Sequence, residues 1–277
     1  MNLPEFSVFV KPWGAMPLAQ LAGKIKRLGF DGIELPVRPG FPVRPDNVLA
    51  TLPEAVRIFS GEGLKIHSIA ADMTEPVFQA AAAAGVPLIR ICVPVPAGGN
   101  YLDAEADTKR EFSALVPLLA KHGVTVGVQN HCDRWVSHSM GLLRLIEDFS
   151  PEHFAAVWDA AHNALNGEDP DLGLDIVWSR LRMVNLKNAF RQRVSPPEAE
   201  VAAWKIYWTS GRQGQASWPQ VARELAWRGY QGPVCLTAEY SDESSVDRLI
   251  AGDICFAKEI FSREYFPADA GKLRIKN

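Results

Sequence analysis

The chain has few of the marks that would place it outside ordinary metabolic chemistry. It holds four cysteines in 277 residues, Cys92, Cys132, Cys235 and Cys255, and they form no CxxC pair. That spacing excludes a structural zinc knuckle and a disulfide framework, and it suits reduced thiols in a cytoplasmic protein. No apolar run approaches the length needed to span a bilayer. The opening MNLPEFSVFVKPWG lacks the basic and then apolar blocks of a secretory signal. Cationic surplus is also missing. The formal charge is −3, with 29 Lys and Arg against 32 Asp and Glu. Neither nucleic acid nor an anionic membrane is an expected partner. A GxGxxG after an early strand is absent too. The Gly98-Gly99 pair follows PVPA with no third glycine at the required offset, which argues against a dinucleotide-binding sheet.

What is present is a regular alternation. Short β-branched runs start at Phe6 (FSVFV), Gly32 (GIEL), Leu64 (LKIHSI), Leu88 (LIRICV), Val124 (VTVGVQ), Phe154 (FAAVWD), Leu181 (LRMVNLK) and Val234 (VCLTAE). Their near-continuous apolar character predicts parallel strands covered on both faces. Amphipathic stretches lie between them, as in Leu18, Leu21, Ile25 and Leu28, or Phe112, Leu115, Val116 and Leu119. Glycines at 29, 63, 85, 123 and 229 stand where helices should close before the next strand. Ser217, with Pro219 in the first turn, reads as a helix start. Eight strand–helix alternations without a composition break predict an α/β fold, a (β/α)8 TIM barrel forming one domain over residues 1–277. A polar tail is expected from about Tyr265.

Polar residues at the strand ends carry the chemistry. Four consecutive strands end in Gln129, Asp159, Asn185 and Glu239, with His131 and His162 close behind two of them. Side chains at the C-terminal ends of barrel strands project into the mouth, so these four are expected to meet around one ligand. For any one of them a cap or a satisfied core group is the simpler reading; four in register argue for a site. Glu34, ending GIEL, is a further mouth carboxylate. The long connections Pro36–Asp46 and Ala189–Ala216 are expected on the same face. They bring Arg38, Arg44, Arg191, Arg193, Trp208 and Arg212, either as lids over an anionic or hydroxylated substrate or as solvated loops. Trp13 and Trp208 are the aromatic candidates for a sugar face. Cys132 has no visible relay partner, which argues against a nucleophile.

These runs resemble a known family. GFDGIEL at 29–35, Asn130-His131, the DxxH of Asp159–His162, NLKN at 185–188 and GRQGQASWPQVARELAWRGYQGPVCLTAEY at 211–240 look like the xylose isomerase-like barrels. The likeness is greatest to the sugar-phosphate isomerase and epimerase group, which includes ketose 3-epimerases, hydroxypyruvate isomerases and inosose dehydratases. The resemblance implies a divalent cation held by Glu, Asp, His and Glu at the last four strand ends, with the glutamates doubling as acid and base. Asp159 and Glu239 match that pattern. Gln129 stands where a glutamate is expected, Asn185 where a histidine is expected, and Asn188 where an aspartate is common.

The substitutions change the chemistry. Amide oxygens bind hard cations and serve softer metals poorly. The expected cation is therefore Mg²⁺ or Mn²⁺, held weakly by Asp159, Glu239, Gln129 and Asn185, or no cation at all. Gln129 cannot take up a proton. Glu239 is left as base, with His67 or His162 as its partner and Lys187 to polarise a carbonyl. Glu34, Gln129, His131, Asn185, Trp13 and Arg212 are the expected substrate-binding residues. Without a metal, Asp159 and Glu239 would repel each other unless a cation such as Lys187 sat between them. Proton abstraction beside the carbonyl of a small carbohydrate-like compound is the leading reaction. The alternatives are a degenerate barrel that binds a sugar-like ligand without turnover, and a lyase or dehydratase. An abasic-site endonuclease on this fold is excluded, because the ligands of a multi-zinc site and a basic surface are lacking. The resemblance implies a homo-oligomer, a dimer or tetramer, which the residues themselves do not specify.

Overall fold

The computed structural model describes residues 2–267. Eight of its strands close into a barrel: β1 (Phe6–Phe9), β2 (Gly32–Pro36), β3 (Lys65–Ala70), β4 (Leu88–Cys92), β5 (Thr125–Gln129), β6 (Phe154–Asp159), β7 (Leu181–Leu186) and β10 (Val234–Leu236). Two more, β8 (Asn188–Arg193) and β9 (Trp204–Thr209), form an antiparallel hairpin beside it. Every neighbouring pair in the barrel is parallel, in the order β1-β10-β7-β6-β5-β4-β3-β2. The eight strands are those anticipated from the apolar runs, and the fold is the (β/α)8 barrel.

The helices between them are α1 (Leu18–Leu28), α2 (Val48–Gly61), α3 (Glu75–Ala84), α4 (Tyr101–His122), α5 (Ser139–Ile146), α6 (Ala160–Leu165), α7 (Pro170–Val177), α8 (Trp218–Trp227) and α9 (Val246–Tyr265). Gly29, Gly63, Gly85, Gly123 and Gly229 all have φ between 64° and 87°. In that left-handed region a residue without Cβ ends a helix with little strain. Ser217 caps α8 by accepting from the Gln220 amide.

Two apolar layers follow from strand alternation. Most buried hydrophobics join one large core, which lies between barrel and helices. A smaller cluster holds only strand residues: Phe9, Ala70, Leu88, Val157, Met183 and Cys235. It fills the barrel interior, since Ser68 on β3 reaches the Met183 sulfur on β7 at 3.5 Å across the bore. Gly127 leaves room there; a Cβ on it would lie 2.7 Å from Val157. Above this apolar plug the inward positions turn polar.

Two departures from the sequence reading concern connections. The stretch Ala189–Ala216 is largely the β8–β9 hairpin, not a loop. Tyr265, where a polar tail was expected to start, instead closes α9 and is buried, its hydroxyl donating to the Tyr230 carbonyl at 2.9 Å. Residues 268–277 of the expected tail lie outside the described residues. Among the described residues no helix is long and apolar enough to cross a membrane. All four cysteines are free thiols.

Candidate active site

The barrel mouth opens into a cavity of about 980 Å³. Gln129, Asp159, Asn185 and Glu239 all line it, together with His131, His162 and Lys187. The strand register explains the convergence. Asp159 pairs with Asn185, and Asn185 pairs with Cys235. Lys187 and Glu239 follow on the same sides at two-residue steps.

Asp159 is fixed from three directions. It ends β6 and caps α6, so its Oδ1 accepts from the amides of Ala161 (2.9 Å) and His162 (3.0 Å). Its Oδ2 accepts from the Gln129 side-chain amide at 3.0 Å. Asn130 grips its peptide unit, accepting from the Asp159 N–H at 2.7 Å and donating to its carbonyl at 3.2 Å. The QNH run thus positions Asp159 twice, once by side chain and once by backbone. Burial raises the Asp159 carboxyl to about 6, against Lys187, these amides and Arg90, which pull it down.

Arg90, in the middle of β4, was not singled out in the sequence, and it organises the floor. Its Nε donates to Glu34 Oε1 at 2.7 Å and one terminal nitrogen donates to Gln129 Oε1 at 2.7 Å. Its guanidinium also lies 4.9 Å from the centre of the Phe9 ring. Burial disfavours its charge, but Glu34 beside it more than compensates and raises its proton affinity. A chain Glu34–Arg90–Gln129–Asp159 therefore crosses the bore.

Glu239 is held by two ammonium groups. Lys11, just past β1, donates to Oε1 at 2.5 Å, and Lys187 donates to Oε2 at 2.8 Å. Burial alone would raise this carboxyl; Lys187 and Lys11 overcome that and bring it to about 2. The Lys187 ammonium also sits 3.7 Å from the centre of the Trp208 ring, a close cation–π contact from the hairpin. Lys11 was the second residue missed in the sequence. Asn185 differs from all of these. It is 1% exposed, lines the cavity, and neither its Oδ1 nor its Nδ2 has a partner. Glu34 Oε2 is likewise without one.

The imidazoles divide by tautomer. The Cys132 N–H donates to His162 Nδ1 at 3.1 Å, so the neutral ring carries its proton on Nε2. Burial pushes its pKa well down, with Lys187 adding to the effect. His162 is therefore a fixed donor at the mouth and lacks a free lone pair for proton abstraction. His131 stacks on it, ring centres 4.0 Å apart, with Nδ1 against the Cys132 carbonyl at 3.0 Å. Burial raises the Cys132 thiol to about 12, consistent with the lack of a nucleophile there.

Glu34, expected at the mouth, does not line the cavity; it is fully buried in the bore, where Arg90 and Ser68 donate to its Oε1. Three other expected residues lie elsewhere. β3 runs three residues beyond His67, which leaves that ring at the other end of the barrel. There its Nε2 stands 3.4 Å from Glu5 Oε2, on the wall of a separate cavity with Leu88, His153 and Tyr230. Trp13 is buried against α9, its Nε1 donating to Asp247 at 2.9 Å, and it does not line the mouth. Arg212 is 60% exposed, pairs with Glu259 and packs over Phe256. Of the loop arginines, Arg38 lines the cavity, whereas Arg44 pairs with Asp46 on the surface. Arg191 and Arg193 are exposed on the hairpin.

Asn188 has a structural use. Its Nδ2 donates to the carbonyls of Gly211 and Ala216, each at 2.9 Å, and its Oδ1 accepts from the amides of Ala189 and Ala216. An aspartate could not make the two donated bonds, so the amide ties the hairpin base to the loop before α8.

Barrels of this kind commonly use a divalent metal, and the donor set here does not fit one. Both Glu239 oxygens already bind ammonium, the Gln129 oxygen binds a guanidinium, and the Gln129 nitrogen faces Asp159. Of the four expected ligands, only Asn185 has an oxygen without a hydrogen-bond partner. The His131, Cys132 and His162 atoms lie within 4.8 Å of one another. The two rings are stacked at 31°, however, so their lone pairs do not converge.

Residues 22–259 match the model of the xylose isomerase-like TIM barrel family. No curated protein matches the sequence. Among solved structures, the chain is similar to a D-psicose 3-epimerase with D-tagatose from Clostridium cellulolyticum H10. The two are 12% identical with TM-score 0.71, over 93% of this chain and 99% of that one. It is similar to a 3-keto-D-glucoside 4-epimerase from E. coli, at 13% identity and TM-score 0.67 over 92% and 99%. A probable 3-DHS dehydratase from Bacillus anthracis is 14% identical, TM-score 0.69, over 91% and 97%. At these identities the likeness speaks for the fold alone.

Proposed function

This chain belongs to the xylose isomerase-like TIM barrel family, and we propose that it is an isomerase-type enzyme that moves a proton beside the carbonyl of a small polyhydroxylated keto compound. The observation that carries this reading is the meeting of Gln129, Asp159, Asn185, Lys187 and Glu239 in one cavity at the ends of strands from β5 onward. The sugar-acting neighbours support the substrate class.

The residues present suggest how the proton moves. In the free protein both Glu239 oxygens are tied to lysines. A substrate carbonyl oxygen at Lys187 takes over one of those ammonium hydrogen bonds. The transfer polarises the carbonyl and, in the same step, releases one Glu239 oxygen, whose proton affinity rises. Glu239 then takes the proton from the adjacent carbon, and the electron pair passes to the carbonyl oxygen, giving an enediolate held by Lys187. The hydroxyl proton of that adjacent carbon passes to the former carbonyl oxygen, and Glu239 returns its proton to the former carbonyl carbon, which leaves the carbonyl on the adjacent carbon and completes the shift. Asn185 holds a substrate hydroxyl through its free donor and acceptor, and His162 Nε2–H donates to another substrate oxygen.

One mobile carboxylate favours a 1,2-shift on a single face over epimerisation, which needs a group on each face. His67 lies too far off to serve as the second group, and the His162 lone pair is taken. The clamp on Glu239 also favours a second reading, a barrel that binds such compounds without turnover. One experiment separates the two. The protein is incubated with ketoses and hydroxy-keto acids in deuterated water, and deuterium next to the carbonyl is followed by NMR. Incorporation that is lost in Glu239→Gln is expected. Binding without any incorporation across the panel would leave only the second reading.

A further inference from the structure

We propose that the protein's own cations, Lys11 and Lys187 on Glu239 and Arg90 between Glu34 and Gln129, occupy the place of a divalent ion, so that the mouth holds no metal and needs none. The inference rests on the reading of this mouth as the reaction site, but its test uses no substrate, so the two can fail separately.

Charge balance comes first. The inner group contains three carboxylates, Glu34, Asp159 and Glu239, and three cations, Arg90, Lys11 and Lys187. The set is neutral as it stands, whereas a divalent ion would add two uncompensated charges. A cation there must also win oxygen ligands from groups already engaged. The two Glu239 oxygens accept from ammonium at 2.5 and 2.8 Å, and the Gln129 oxygen accepts from Arg90 at 2.7 Å. Magnesium and manganese require several oxygens pointed at one centre. Freed from Arg90, Gln129 would still present its NH₂ to Asp159.

The same three cations can do a metal's electrostatic work. Lys187 keeps Glu239 and Asp159 compatible in one cavity; its ammonium donates to Glu239 at 2.8 Å and lines the same mouth as Asp159. Its ammonium is a point charge with donors to spare for a substrate oxygen. Arg90 plays the complementary part on the far wall, where a glutamine suits the guanidinium because its oxygen accepts from Arg90 while its nitrogen donates to Asp159.

The test is a titration with Mn²⁺ of chelator-treated, metal-free protein, read by loss of the free-ion EPR signal and by thermal unfolding. Wild type is expected to show no saturable binding up to millimolar Mn²⁺ and no rise in Tm. In Lys187→Met, and in the more exposed Lys11→Met, Glu239 loses an internal partner. Each should bind Mn²⁺ at least about tenfold better than wild type, the scale on which groups around a metal site set its affinity, with a matching gain in Tm. Stoichiometric binding by wild type at micromolar Mn²⁺ would overturn the proposal. So would folded lysine variants that bind no better than wild type; Lys11→Met supplies that comparison if Lys187→Met does not fold.

Discussion

Removing Arg90 should cost far more than removing its pair. Glu34 is fully buried and Arg90 nearly so, with 2.7 Å between them. In Arg90→Met the Glu34 carboxylate stays in the barrel with one oxygen stripped of its cation and the other already without a partner. Leaving one member of a buried ion pair behind costs about 3–5 kcal/mol. For a domain of this size each kcal/mol lowers Tm by about 2–4 °C, so the variant should melt roughly 6–20 °C below wild type. Glu34→Leu alone strands the guanidinium and should lose a similar amount. The double variant Arg90→Met/Glu34→Leu has no stranded charge, and apolar groups of similar volume replace such pairs at little net cost. It should lie within about 2 kcal/mol of wild type, which means a coupling of several kcal/mol. Urea unfolding followed by circular dichroism measures all four corners of the cycle. Additive losses, or an Arg90→Met variant within about 1 kcal/mol of wild type, would refute the claim that the pair organises the floor.

Two further outcomes follow from the other polar groups. Asn185→Leu removes a buried amide with no partner, so stability should rise by about 1 kcal/mol in urea melts while sugar binding is lost, because burying an unsatisfied amide is costly. A fall in stability would mean that the amide is satisfied within the protein. Glu239 has its pKa lowered to about 2 against an ordinary 4.5. Its charged form therefore stabilises the fold above pH 4.5, and that contribution, about 3 kcal/mol, is lost as pH falls toward 2. The stability gap between wild type and Glu239→Gln should accordingly narrow through that window, as acid melts would show; a gap independent of pH would mean that the lysines do not set this carboxyl.

The barrel was readable because both of its periodicities are loud. Parallel strands covered on two faces must be apolar almost throughout, and the eight runs from Phe6 to Val234 stand out for that reason. Glycine at the helix ends is a local steric demand that shows in the residue itself, as at Gly29 and Gly123. The hairpin β8–β9 lacked such a signal. FRQR is polar after its first residue and WKIYWT is interrupted by Lys205, both on a largely exposed ribbon, and an apolar core run was the pattern that marked the other strands. His67 was expected in the site although it stands within the LKIHSI run and not at its end; Ser68, Ile69 and Ala70 carry β3 three residues further. That extension moves the imidazole from the mouth to the opposite rim.

Arg90 and Lys11 show why the polar half of the site was harder to read than its strand ends. A strand-end carboxylate or amide stands out because an apolar run stops there. Arg90 sits inside such a run, in LIRIC, where a long cation with no visible partner looks like an exception to the pattern. Its partners lie 56 residues before it, on β2, and 39 residues after it, on β5. Gln129 lies on the adjacent β5, but Glu34 becomes a neighbour only across the bore, since β3 stands between β2 and β4. Lys11 meets Glu239 across 228 residues, because the first and last barrel strands pair. The acidic and amide members of the site could therefore be listed from the sequence, while of the cations that neutralise them only Lys187 could. A count of candidate ligands taken from strand ends alone overstates the charge available to a metal in this barrel.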